Sequence, residues 1–283
     1  METRVLGQTG RRLSVVGFGG IVVKDTTPEE ASQLVAEAVR RGVNYFDVAP
    51  SYGNAQERLG PALEPYRKDV FLACKTGERS RAGAQAELKQ SLELLRTDHF
   101  DLYQLHGVTT MAEVEQIFAP GGAIEALLEA RDKGQTRFLG FSAHSEEAAL
   151  ALMDRFSFDT ILFPINWTCW FQTGFGPKVV ERAHDKGMGI LALKALAKRA
   201  WREGEPRAWP KCWYCPVESK EEAALALRFT LSKPVTAAVS PSHAELLWWA
   251  CDAAGSLAPL TAAEEQELKR RSEGLEAIFP HSD

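Results

Sequence analysis

Four residues of this chain have the side chains and the spacing to move a proton: Asp47, Tyr52, Lys75 and His106. Asp47 closes the apolar run NYFD, and Tyr52 follows five residues later beside Gly53. Lys75 closes VFLACK, and His106 closes DLYQLH. A free phenol, with a pKa near about 10, is a poor acid at neutral pH. An ammonium group beside it favours the phenolate and lowers that value. Lys75 would supply the charge, and Asp47 would keep Lys75 charged and oriented. A neutral His106 would hydrogen-bond a carbonyl oxygen and orient it. The set suits proton donation to a carbonyl oxygen. Singly, each residue has a plainer use: a terminal aspartate caps a loop, and a lone histidine sits in a core or on a rim.

Bringing these residues together requires strands that end side by side. The runs SVVGFG, NYFDV, VFLACK, FDLYQLH, RFLGFS, TILFPIN, GILALK and VTAAVS are eight candidate strands. Most are apolar nearly throughout, as strands buried on both faces are. Helix signals lie between them. Thr27, Pro28 and Glu30 form a capping box closed at its far end by Gly42. Ser145 and Ser219 start two further helices, the second with Glu222 at the box position. Thr261 and Glu264 open a last helix through TAAEEQELKRRSEGLEAIF. The alternation predicts an α/β fold, a single (β/α)8 TIM barrel spanning residues 1–283. An N-terminal β-hairpin around GQTG would close its bottom, and long loops would rise at its C-terminal mouth. In such a barrel the C-terminal strand ends, and so the four residues, face the mouth.

Composition bounds the function. The chain has 283 residues, 45% of them hydrophobic and 25% charged, with a formal net charge of −5. That charge argues against nucleic acid or an anionic membrane as partner. The opening METRVLGQTG has no apolar stretch, so no signal peptide is expected. No apolar run approaches the roughly 18 residues of a membrane-spanning helix. The five scattered cysteines suit reduced thiols in a cytoplasmic protein. Cys212 and Cys215 form CWYC, but a zinc site needs about four ligands and no second pair is suitably spaced. Redox CxxC motifs open helices, whereas Pro216 follows here, so ordinary loop cysteines are expected.

The segments LSVVGFGG, FDVAPSYG, ACKTGERS, LYQLH and GFSAHS fall along the chain in an order that resembles the aldo-keto reductases. The resemblance runs from the first residues through the eighth strand. It implies reduction of aldehydes and ketones with NAD(P)H, without a metal, and places that family's catalytic tetrad on Asp47, Tyr52, Lys75 and His106. It also implies a close approach to the nicotinamide at Gly19 and Gly20, and a carboxamide contact at Ser142, although Ala143 replaces the usual asparagine beside it. Asn166 matches the family's asparagine of strand six, with Leu162 where a glutamine is usual. Lys194 stands at a serine position and reads either as a contact for the cofactor phosphates or as a strand-end cap. After strand eight the run SPSHAELLWW offers Ser240, Ser242 and His243 but no arginine or lysine. NADP is therefore the family's expectation, and NAD stays open.

Two long loops, after strands six and seven, hold five of the seven tryptophans. Long loops in a compact barrel are usually functional. Trp167, Trp170 and Trp213 are candidates for a substrate wall; the alternative is packing of the loops onto the barrel. The leading reading is an oxidoreductase acting on a small carbonyl compound. A nicotinamide-binding regulatory or redox-sensing subunit with little turnover is the second. A metal-dependent isomerase or hydrolase comes last, because the mouth lacks clustered histidine and carboxylate ligands.

Overall fold

The computed structural model describes residues 1–279. The chain opens with an antiparallel hairpin of β1 (Thr3–Val5) and β2 (Arg12–Ser14). Eight parallel strands then close into a barrel: β3 (Val16–Gly19), β4 (Tyr45–Asp47), β5 (Phe71–Thr76), β6 (Phe100–Val108), β7 (Thr136–Ala143), β8 (Thr160–Pro164), β9 (Gly189–Leu193) and β12 (Ala237–Val239). The ring closes where β12 pairs with both β9 and β3. Between β9 and β12 lies a small hairpin of β10 (Ala197–Arg199) and β11 (Cys215–Pro216).

Among the described residues, eleven α-helices surround the barrel: α1 (Pro28–Arg40), α2 (Ala55–Leu63), α3 (Arg81–Leu94), α4 (Met111–Phe118), α5 (Ala123–Asp132), α6 (Glu146–Arg155), α7 (Trp167–Gln172), α8 (Pro177–Asp185), α9 (Lys220–Leu231), α10 (Ala244–Gly255) and α11 (Ala262–Ser272). The expected capping boxes form at Thr27–Glu30 and Thr261–Glu264. Ser219 caps α9, but the box there stays open: Glu222 accepts from the Glu218 N–H and pairs with Lys198 instead. The last helix stops at Ser272, short of the expected end, and Gly274 at φ +75° turns the chain away. Among the described residues, no helix is long and apolar enough to cross a membrane.

Strand periodicity sets the site. Tyr45, Phe71, Ala73, Leu102, Leu162, Leu191 and Ala237 pack inside the barrel against Leu6 and Leu13 of the opening hairpin, which plugs the bottom. Their alternates Phe46, Leu72, Cys74, Tyr103, Phe163 and Ala192 face the helical shell. Two residues beyond Tyr45, Ala73 and Leu102, the same inward face carries Asp47, Lys75 and Gln104. The barrel core is apolar below and polar at the C-terminal ends of its strands.

Candidate active site

The four residues singled out by their chemistry meet at the mouth. Lys75 Nζ forms a buried ion pair with Asp47 Oδ1 and also donates to the Val48 carbonyl at 3.3 Å. The second Asp47 oxygen accepts from Tyr45 Oη and Gln104 Nε2, each at 3.2 Å. The carboxylate is thus satisfied on both sides, as a buried charge must be. Lys75 Nζ lies 5.2 Å from the centre of the Tyr52 ring. The Tyr52 ring meets His106 edge to face, with centroids 5.7 Å apart. His106 Nδ1 contacts Ser51 Oγ at 3.4 Å, and its carbonyl accepts from Arg79 Nη2 at 2.7 Å.

The electrostatics follow from these contacts. Burial pulls Lys75 toward neutrality, but Asp47 and Tyr52 outweigh it, and the ammonium form is favoured. Burial, reinforced by Lys75, His144, Arg79 and Lys194, holds His106 down to about 3, so its imidazole is neutral near pH 7. The expectation that Lys75 brings Tyr52 below its ordinary pKa does not hold. Burial raises Tyr52, and Lys75 offsets this only in part because Asp47 opposes it.

The residues assigned to a cofactor occupy defined structural positions. A Cβ on Gly19 would lie 2.5 Å from the Ser240 carbonyl oxygen, so β3 and β12 can pair closely only through glycine. The Gly19 N–H donates to Ser240 Oγ at 3.0 Å. Gly20 abuts Val48 in the same way. Ser142 Oγ accepts from the Gly107 N–H, and Asn166 Oδ1 caps α7 by accepting from Cys169 N at 3.0 Å. Each of these side chains keeps a donor hydrogen for a ligand, since a hydroxyl or amide can donate while it accepts. Beyond β12, Ser242, His243, Lys211, Trp248 and Glu30 line a cleft of about 510 Å³. Lys211 escaped the sequence reading because it lies far from β12 in the chain, in the loop between β10 and β11. It reaches this cleft by donating through Nζ to the carbonyls of Val22 and Lys24.

The tryptophans divide. Trp167 is 0% exposed, enclosed in the core at the start of α7. Trp170 packs edge to face on Phe229 of α9, with Lys233 over its ring. Both pack against the core cluster, Trp167 fully buried and Trp170 half-buried. The segment after strand six is not an open loop, because α7 and α8 fill it. Trp213 is 54% exposed, and Lys194 Nζ lies 5.4 Å from its ring centre. Cys212 and Cys215 are both buried, and burial raises both thiols.

Three residues at the mouth went unread in the sequence. Gln104 lies two positions before His106 on the same strand face, a spacing that could have flagged it. His144 lies just past β7, and its ring stacks on Phe279 at 5.4 Å. Phe279 arrives from beyond α11, tied by Thr173 Oγ1 to its carbonyl at 3.0 Å. Nothing local in the sequence announces that contact.

A family model described as the aldo/keto reductase family matches residues 15–213. L-galactose dehydrogenase of Arabidopsis thaliana is 27% identical over 261 residues, which cover 82% of this chain and 81% of that protein. The aldo-keto reductase YhdN of Bacillus subtilis is 31% identical over 217 residues, covering 70% of this chain and 63% of that protein. The holo form of an aldo-keto reductase from Bacillus halodurans shares the fold, with a TM-score of 0.78 at 24% identity over the whole of both chains.

Proposed function

The chain belongs to the aldo/keto reductase family and is a nicotinamide-using oxidoreductase of that type, and from this premise we propose that it reduces an aldehyde or ketone to the alcohol, or runs the reverse oxidation. It does so as a single-domain cytoplasmic enzyme with Tyr52 as proton donor. The observation that carries the reading is Lys75, whose ammonium is held by Asp47 and lies 5.2 Å from the Tyr52 ring.

The residues present fit a nicotinamide dinucleotide. The cleft beyond β12 offers Trp248 and His243 rings for a base, Lys211 for a phosphate and Glu30 for a ribose hydroxyl. Ser240, Ser142 and Asn166 have donors to spare, Ser242 lines the cleft, and Gly19 and Gly20 keep the wall beside Asp47 free of side chains. The bound cofactor supplies the hydride. This chain's residues manage the oxygen. His106, neutral and with Nδ1 against Ser51, offers Nε2 to the carbonyl oxygen and orients it. Burial keeps the Tyr52 proton in place until negative charge builds on that oxygen, which is then far more basic than a phenolate. Tyr52 donates, and Lys75 stabilises the phenolate left behind.

Tyr52→Phe tests this directly. The variant should fold, bind cofactor by fluorescence quenching, and lose about 10²- to 10⁴-fold in kcat, the usual worth of general acid catalysis. A near-normal kcat would sink the assignment.

A further inference from the structure

A second lysine faces the same mouth and has no carboxylate partner among the described residues. Lys194 follows β9 in a left-handed conformation, φ +64°, that L side chains rarely adopt. Its Nζ lies 5.4 Å from the Trp213 ring and 5.6 Å from the Tyr214 ring. Among the described residues, the charged and titratable groups that interact with it are Cys212, Lys75, His106 and His144, none of them a carboxylate. Burial, aided by Lys75 and opposed by Cys212, draws its pKa down to about 8. An unpaired ammonium in a half-buried, largely desolvated place is costly, and an incoming anion would relieve that cost.

Past β7, with only β8 between it and β9 around the mouth, a polar atom is in the same condition. His144 Nε2 is buried with no hydrogen-bond partner among the described residues. Burial, with the charge on Lys194, holds its imidazole down to about 3, so it is neutral near pH 7. A neutral imidazole can donate through Nε2. His144 is continuous with the reaction centre, since its Nδ1 lies 3.9 Å from where a Cβ would stand on Gly107, the neighbour of His106. A line of ring contacts joins His144 to Lys194: His144 stacks on Phe279 at 5.4 Å, and Phe279 meets Trp213 at 6.0 Å. Lys194 in turn lies over Trp213. The mouth therefore carries Tyr52 and His106 at one place, and an ammonium and an imidazole around an aromatic rim beside them.

We propose that Lys194 and His144 Nε2 together bind a carboxylate carried by the carbonyl substrate, so that this enzyme selects oxo-acids over uncharged aldehydes and ketones. The inference rests on the carbonyl-reductase reading and names the substrate class of that site. A carboxylate has two oxygens, one for the ammonium and one for the imidazole N–H, while Trp213 and Phe279 cover the apolar body between acid and carbonyl.

Paired probes test it by two readouts. In the first, intrinsic tryptophan fluorescence measures binding of 4-(hydroxymethyl)benzoate and benzyl alcohol to the cofactor-loaded protein. The wild type should bind the acid at least about tenfold tighter, the worth of one charge-assisted hydrogen bond. Lys194→Gln should abolish that difference and Lys194→Arg should retain most of it. In the second, kcat/KM for 4-carboxybenzaldehyde over benzaldehyde should show the same ratio and the same loss. Equal binding of the two alcohols by the wild type overturns the proposal. So does a Lys194→Gln variant that keeps the acid preference but binds cofactor at least tenfold more weakly, which would make Lys194 a cofactor phosphate ligand. Binding preference without turnover of either aldehyde would support the anion site and count against the reductase reading alone.

Discussion

The Gly107 backbone N–H donates to Ser142 Oγ at 2.7 Å. This bond ties the residue after His106 to the end of the neighbouring strand β7, and it fixes the backbone beside that histidine at the mouth.

Ser142→Ala would leave that N–H without its partner. An unsatisfied buried donor costs about 1–3 kcal/mol, and this N–H is part-buried, so the midpoint of urea unfolding should fall by no more than that. If Ser142 acts only through this bond, kcat falls while cofactor affinity holds. A cofactor Kd raised about tenfold or more, the worth of a lost hydrogen bond of about 1.4 kcal/mol, would assign the hydroxyl to the carboxamide as well.

Trp167 and Trp213 should behave oppositely. Trp167→Ala empties a fully buried site and should cost about 3–5 kcal/mol of stability. Trp213→Ala removes an exposed ring and should change stability by no more than about 0.5 kcal/mol. KM for aromatic carbonyls should rise in the second variant. Thermal unfolding and steady-state kinetics of the pair decide the matter, and a stable Trp167→Ala would contradict the packing.

Cofactor choice should be modest and should rest on Lys211. Two backbone carbonyls already occupy its ammonium, which leaves one of three donors for a 2′-phosphate. One charge-assisted bond is worth about 1.5–3 kcal/mol. NADPH should therefore bind no more than about a hundredfold tighter than NADH, since each factor of ten is 1.4 kcal/mol. Lys211→Gln should bring the two Kd values together. A larger preference that survives the substitution would point to another base.

Acid should destabilise the protein before its carboxylates titrate. His106 and His144 are both held down to about 3, chiefly by burial. Unfolded histidines take up protons below about 6.5. Between these values the unfolded state binds protons that the folded state refuses, so stability falls with pH by up to about 1.4 kcal/mol per unit for each histidine. Urea midpoints from pH 6.5 to 5 should show this slope, and His144→Phe should reduce it. A flat profile would mean that both imidazoles protonate freely in the fold.

Much of this was legible in the chain itself. Apolar runs bounded by capping residues dictate strands and helices, and a period of two along each strand puts Asp47, Lys75 and His106 at inward-facing strand ends. Barrel closure then leaves those ends no place but the mouth. Such signals are local, carried by neighbours within a few residues. The fate of the tryptophans was not local. Trp167 and Trp213 look alike in sequence, yet one starts a helix capped by Asn166 and is buried, while the other stands on a hairpin loop in solvent. Tyr52 shows the same limit: its partner Lys75 could be named from residue types, but the sign of the pKa shift depends on how much water the fold removes. Lys211 reaches Val22 and Lys24 across 187 or more residues of chain, and Phe279 reaches His144 from beyond the last helix. Desolvation and long-range contact exist only once the chain is packed, so the tertiary structure alone decided which groups at the mouth are paired and which, among the described residues, are not.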